Sequence, residues 1–390
     1  MSQRRRELVS TNAHPKTISP DELAQVVHDV GRRAGLDAVG IASAEPLSEA
    51  RRLLHERKAQ GLHAGMRFTY KNPDRSTDPQ AALAGARSVV VGALRYSRAD
   101  PVATGEGPTG RVARYAWGDR YAPLRVALHQ IADALGHGGF RTLVLADDNS
   151  IVDRAIAHRA GIGWFGRNAN LLLPGQGSWF VLGSVLTTAP LPPAPAPVAD
   201  ACGTCRACEP ACPTGAIVAP GVIDAGRCLA WLVQAPGVIP RQFRAALGDR
   251  VYGCDDCQEV CPPNRIHDRR EPPSPPDEGD VATVDLLEWL ELSDAELMAR
   301  HGRWYIAERD PRHLRRNAIV ALGNVGRADD PRVVEALRGA VQSSDALLRS
   351  HGVWALGRLG LGALVPAHDD DPTVAEEIGL VRAEMNLPAG

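Results

Sequence analysis

Apolar positions near the start of the chain recur at helical spacing. In "DELAQVVHDVGRRAG", Leu23, Val26, Val27 and Val30 share one face, Asp21 stands where an N-cap belongs, and a Gly turn follows. A short strand is then expected in "DAVGIA". "SVVVGAL" from Ser88 is a run of β-branched residues and predicts a second strand. The helical pattern "PLRVALHQIADALG" leads into the strand "RTLVLAD", which ends at Asp147, and a further strand pair is expected in "SWFVLGSVLT", Ser178 to Thr187. Helices interleaved with buried strands predict an α/β layer domain over residues 21–192. The basic segment 1–20 is expected to be a flexible N-terminus.

Proline then interrupts the pattern. "APLPPAPAPVAD" cannot continue a helix or a central strand, and "REPPSPPDEGD" at 270–280 makes a second break. Between them lies a cysteine-rich unit, 193–270. Past the second break the pattern is helical, and "LRRNAIVALGNVG" from Leu314 returns 34 residues later as "LRSHGVWALGRLG" from Leu348. Such a repeat predicts stacked helical hairpins of the HEAT type over 281–365. An acidic tail, 366–390, is expected to be solvated.

Composition changes this picture little. The 390 residues carry a formal charge of −2, which excludes a uniformly basic nucleic-acid coat but not a local patch. With no signal-peptide h-region and no long apolar run, a cytoplasmic protein without a membrane span is expected, as a monomer. Cysteines in that compartment serve metals or redox chemistry more often than disulfides.

All eight cysteines lie between 202 and 261. "ACGTCRACEPACPTG" places Cys202, Cys205, Cys208 and Cys212 at the bacterial ferredoxin spacing, where three thiolates take one cubane and the fourth serves another. "YGCDDCQEVCPPN" supplies Cys254, Cys257 and Cys261 but lacks the first position of that run, and Cys228 is the only cysteine left to fill it. The crossing rule then predicts two [4Fe–4S] clusters. Cys202, Cys205, Cys208 and Cys261 hold the first; Cys212, Cys228, Cys254 and Cys257 hold the second. Paired zinc sites would not account for the Cys-Pro at both ends of the pattern. Two adjacent cubanes form an electron relay.

The stretches "LAGARSVVVGALRY", "RAIAHRAGIGWFGRNANLL" and "GSWFVLGSVLTTAPLPP", with the cysteine run and "RRNAIVALGN", resemble the epoxyqueuosine reductase family over about residues 20–360. The resemblance implies a nitroreductase-like α/β domain that binds cobalamin, a ferredoxin-like two-cluster domain and a C-terminal helical HEAT-like domain. It implies reduction of epoxyqueuosine to queuosine at the wobble base of tRNA anticodons, with electrons from an external donor such as a flavodoxin or ferredoxin. No Asp-x-His-x-x-Gly motif is present to put a protein histidine on cobalt, so cobalamin itself rests on the resemblance. The family's acid maps to Asp147; the alternative is that "DDNS" is a solvated turn with an N-cap.

Tyr70, Tyr96, Asp147, Gly163 and Ser178 are the candidate corrin neighbours, from the glycine-rich segments and their surroundings. Trp164 and Trp179 read as core. For the tRNA, the densest basic run, "RDPRHLRRN", offers Arg309, Arg312, Arg315 and Arg316, with Arg303 beside Trp304 and Tyr305. The sequence departs from the family's Asp-Tyr-His at Arg120, Tyr121 and Ala122. Two rivals stay open: a reductive dehalogenase, whose usual export signal is missing here, and a ferredoxin-like electron carrier with a scaffold tail.

Overall fold

The computed structural model describes residues 18–68, 70–101 and 107–387, so most of the basic segment 1–20 lies outside the described residues. Helix α1 (Pro20–Arg33) is capped two residues before the expected Asp21. Ser19 is its N-cap: the hydroxyl accepts from the Glu22 amide at 3.2 Å, and the Ser19 amide donates back to Glu22 Oε2 at 2.8 Å. Pro20 follows at the first helical position, where its missing N–H costs nothing and its φ is already helical. Leu23, Ala24 and Val27 are buried, whereas Val26, placed on the same face by its spacing, is exposed.

Strands β1 (Ala38–Ser43), β2 (Ser88–Arg95), β3 (Thr142–Ala146) and β4 (Phe180–Thr187) form one sheet in the order β1-β2-β4-β3. Every neighbouring pair is antiparallel, unlike the parallel sheet that interleaved helices usually bring. One face lies under α1 and α2 (Tyr121–His137), through Val27, Leu124, Leu128 and Ile131. The other lies under α3 (Asp153–Arg159), through Ile156 and Ala157 against Val89 and Val91. Burial on both faces is why β2 and β4 read as unbroken apolar runs.

A second sheet sews the parts together. Thr109–Val112 lies at its centre, with Arg250–Tyr252 from the cysteine unit parallel on one side and Thr283–Asp285 antiparallel on the other. Arg120 adds an electrostatic clasp. It is buried, pairs with Asp277, and donates to Asp280 at 2.5 Å, so the proline-rich 270–280 segment is fastened to the start of α2. Here Arg120 serves structure, which gives the departure from the family pattern a physical account.

The C-terminal part contains α6 (Arg312–Val325), α7 (Pro331–Val341), α8 (Ala346–Arg358) and α9 (Pro372–Glu384), the labels α4 and α5 falling to the helices Leu229–Leu232 and Pro262–Arg270 of the cysteine unit. The repeated glycines are close approaches. A Cβ on Gly323 would sit 2.9 Å from Ala355 Cα, and one on Gly357 would sit 2.6 Å from a Val381 methyl. The segment after 365 is not the solvated end its charge suggested. Asp369 pairs with Arg349 at 2.7 Å, Glu377 with Arg244 at 2.9 Å and Glu384 with Arg241 at 2.6 Å. No helix among the described residues is long and apolar enough to cross a membrane.

Candidate cluster and catalytic site

All eight cysteines are free thiols, and Cys205 is the exposed one. They fall into two neighbouring sets. Cys261 lies within electrostatic reach of Cys202, Cys208 and Cys205, while Cys228 faces Cys212, and both Cys254 and Cys257 face Cys228. Cys257 also senses Cys208, so the two groups adjoin. Burial first, and neighbouring acidic groups and thiols after it, push Cys254 up to about 12 and Cys261 up to about 11. A ligand must be the thiolate, so loading these sites expels protons. Among the described residues no three His, Cys, Asp or Glu side chains converge as one ion needs. A cubane takes each thiolate on a different iron, so its ligands stand further apart.

Local sequence explains the placement. Cys261 is the N-cap of α5, and Pro262 fills the first helical position, so the Cys-Pro pair starts a helix away from the cluster. Cys228 caps α4 in the same way. The second group lies against the α/β domain: Asn168 donates to the Cys257 carbonyl at 3.2 Å, and Arg154 is within electrostatic reach of Cys228.

Arg154 also acts on Asp153, which senses the predicted acid, Asp147. Asp147 ends β3 in the left-handed region, φ 55°, a conformation that Asp tolerates better than most residues. Asp148 takes the turn's bond, accepting from the Ser150 amide at 2.7 Å, so the carboxyl of Asp147 is left unengaged. Asp147 is open to solvent but surrounded by protein on its inner side. Desolvation raises its pKa, Arg125 opposes, and Asp119 and Asp148 add to the rise.

The sequence reading missed Asp153. It opens α3, and its Oδ1 is shut off from solvent with no hydrogen-bond partner. Burial, then the charge of Asp147, push it up to about 8 against the pull of Arg154. Tyr121 lies within reach of both carboxylates, and burial raises its hydroxyl too. The signal lay in "IVDRA", where an acidic residue at a helix start looks like ordinary dipole pairing. His63 Nδ1, in the loop whose Ala64 carbonyl accepts from Trp231 of α4 at 3.0 Å, is a second buried atom without a partner. Two orphaned polar atoms flanking the second cysteine group fit a large polar cofactor seated between that group and Asp147.

Three candidate corrin contacts are buried in this structure. Tyr96 and Ser178 are buried in the joint with the cysteine unit: Ser178 Oγ donates to Gln258 Oε1 at 2.9 Å, Asn264 holds the Ser178 amide at 2.6 Å, and Gln258 reaches Tyr96. Gly163 is buried, and a Cβ there would sit 2.4 Å from the Leu172 carbonyl oxygen. Tyr70 remains partly accessible, its ring 5.5 Å from that of His63.

The arginine set divides. Arg316 is 0 % exposed and donates to the carbonyls of Leu232, Val233, Ala235 and Gly237 past α4, so it is corrected from an RNA contact to an internal brace. Arg315 is tied to Asp294 and the Leu292 carbonyl, and Arg303 to three carbonyls at 116–118. Arg309 donates to the Gly302 carbonyl. Arg312 keeps a partly exposed side chain, paired with Asp310 at 3.0 Å.

Two family models match the chain. One, described as epoxyqueuosine reductase QueG, DUF1730, covers residues 76–147, and one described as a 4Fe-4S double cluster binding domain covers 201–264. An epoxyqueuosine reductase of Pseudomonas aeruginosa is 35% identical over 360 residues, 87% of this chain and 96% of that one. The Xanthomonas campestris enzyme is 34% identical, covering 88% and 98%. A crystal structure of epoxyqueuosine reductase with an epoxyqueuosine-modified tRNA-Tyr stem loop superposes with TM-score 0.82 at 29% identity, over 94% of this chain and 99% of that one. The Bacillus subtilis structure, with its catalytic aspartate loop swung out of the active site, gives 0.82 at 30%, over 94% and 99%. The chain belongs to the epoxyqueuosine reductase family.

Proposed function

We propose that this chain reduces epoxyqueuosine to queuosine at the wobble position of tRNA, with two [4Fe–4S] clusters and cobalamin as its cofactors. The observation that carries the reading is the adjacency of the second cysteine group, through Cys228 and Arg154, to the carboxyls of Asp147 and Asp153. Conversion of an epoxide to an alkene and water takes two electrons and two protons. The clusters and cobalamin, when bound, supply the electrons at low potential and a metal centre able to reduce carbon.

The chain's own groups supply binding and protons. Asp147 carries the proton given to the epoxide oxygen, and its left-handed turn holds the carboxyl out toward substrate. Asp153, whose carboxyl is pushed up to about 8 by burial and by Asp147, keeps its own proton near neutral pH. His63, Tyr70 and Asp153 would line the cobalamin site. Arg309, exposed and bonded to backbone carbonyls, is the member of the arginine set most open to phosphate, whereas Arg312 lies 3.6 Å from Glu308, 3.0 Å from Asp310 and 3.9 Å from Asp345. We also read the chain as a nitroreductase-like unit over 21–192, a ferredoxin-like unit over 193–270 and a HEAT-like unit over 281–365, working in the cytoplasm as a monomer. A small external carrier, such as a flavodoxin or ferredoxin, would supply the electrons.

The test is anaerobic reconstitution with iron, sulfide and cobalamin, then turnover of tRNA carrying epoxyqueuosine, with nucleosides read by mass spectrometry. Queuosine formed only with cobalamin and a strong reductant is the expected result. Bound corrin with no conversion would point to another reductase, and no corrin to an electron carrier.

A further inference from the structure

The face of α5 turned to solvent has no part in the chemistry above. Asn264 and His267 point inward, His267 Nδ1 lying 3.2 Å from the Gly175 carbonyl, and Asp268 is held by Arg95 at 2.6 Å. The opposite stripe is Arg265, Ile266, Arg269 and Arg270, all exposed, at positions i, i+1, i+4 and i+5 of one helix. None of the three guanidiniums has a hydrogen-bond or ion-pair partner among the described residues. The acidic neighbours are few: Asp268 is engaged with Arg95, while Glu271 lies 3.9 Å from His267 and Glu259 is exposed before Cys261.

This stripe starts one helical turn from Cys261, about 6 Å along the axis. Cys261 is the residue that joins α5 to Cys202, Cys205 and Cys208, and Cys205 is the exposed thiol of the eight. The second group is more deeply enclosed and lies against Asp147's surroundings. Electrons from outside therefore meet the first group first. A chain with net charge −2 has no general cationic character to explain three free arginines around an exposed isoleucine here.

We infer that the outer face of α5, with Arg265, Arg269 and Arg270 around Ile266, is the docking surface for a small acidic one-electron carrier protein that reduces the cluster held by Cys202, Cys205, Cys208 and Cys261. The inference rests on the cluster assignment of the proposed function and not on the tRNA reaction. Each encounter oxidises the carrier by one electron and reduces the cluster by one, with no bond made or broken. A small interface with a rim of positive charge around an apolar spot suits a transient redox contact, in which charge governs the rate of encounter more than the affinity. The isoleucine at the centre argues for a protein partner over RNA, which would use stacking or phosphate contacts.

The test reads the clusters, not turnover. The reconstituted protein is mixed anaerobically with reduced flavodoxin, and bleaching of cluster absorbance is followed by stopped flow. In the Arg265→Glu/Arg269→Glu/Arg270→Glu variant the second-order rate should drop about tenfold or more at low ionic strength, with the gap closing at high salt. Arg33→Glu on α1 should leave it unchanged, and photoreduction by deazaflavin, which needs no docking, should match the wild type. An unchanged flavodoxin rate would overturn the inference, as would weakened binding of a tRNA stem loop with flavodoxin reduction intact. If the Glu variant is slowed with both reductants, the milder Arg→Gln triple decides. A loss confined to flavodoxin upholds the surface, and no loss removes it. Failure of epoxyqueuosine turnover in the wild type would not affect this readout.

Discussion

A carboxyl that must donate a proton near neutral pH needs something to hold the proton on. Asp147 alone has an open side and an arginine nearby, so burial is only a partial cause. Asp119 and Asp148 add to the rise, and Asp153, pushed up to about 8 by burial and then by Asp147, holds a proton of its own in the same corner. Asp147→Asn is expected to keep both clusters and lower turnover about a hundredfold or more, the usual worth of a general acid. Queuosine formation at the wild-type rate would remove it from that role. The pH profile tests the pair. With Asp153 pushed up to about 8, its own proton is present below that pH and lost above it, so turnover that needs a neutral Asp153 beside Asp147 should fall as pH rises through about 8. Asp153→Asn should move that limb to lower pH, and a limb left in place would show that Asp153 does not act through Asp147. Asp147 was legible only through the family resemblance. The burial of Tyr96 and Ser178 was hidden because their partners, Gln258 and Asn264, lie 162 and 86 positions away and no local pattern announces them.

At the scale of elements, what the sequence displayed was whatever depends on neighbours in the chain. Runs such as "SVVVGAL" and "FVLGSVLT" became strands because both their faces are covered. The direction of those strands was hidden, since it depends on how the long connections travel. The four-residue strand Thr109–Val112 was hidden too, because "TGRV" has no apolar run and takes its identity from partners at 250–252 and 283–285. The cysteine assignment was read from ferredoxin spacing, which encodes which thiol faces which cluster. Replacing Cys228 by Ala should therefore cost one cluster and spare the other, about four irons remaining of about eight. Two intact clusters would mean that Cys212, Cys254 and Cys257 find another fourth ligand. "RDPRHLRRN" shows the opposite case. Charge at helical spacing gave no hint that Arg316 enters the core to satisfy four carbonyls.

Across the whole molecule, the three units read from the linkers share an interior. One cluster of buried side chains runs from Val112 and Trp117 through Leu229, Leu232 and Val251 to Val353 and Val381. Buried polar groups cross the same boundary. Arg244, 2 % exposed, is paired with Glu377 of α9, and the ring of His351 on α8 accepts from the Ile239 amide at 3.2 Å through Nε2 while Nδ1 lies 2.7 Å from the Leu347 carbonyl. That pattern needs a neutral imidazole, and burial together with Arg244 holds the His351 pKa well below the ordinary histidine value. The linkage sign follows: the folded state refuses a proton that the unfolded chain accepts. The stability His351 contributes is therefore present above the unfolded histidine pKa, about 6.5, and is lost as pH falls below it. Glu377→Ala should cost about 3–5 kcal/mol, because it strands a buried guanidinium, and Arg244→Met added to it should recover part of the loss. If the helical part were a separate module, cluster absorbance would survive while helical circular dichroism melted. With one shared core, both signals should fall together in the Glu377→Ala protein, and earlier at pH 5.5 than at pH 7.5.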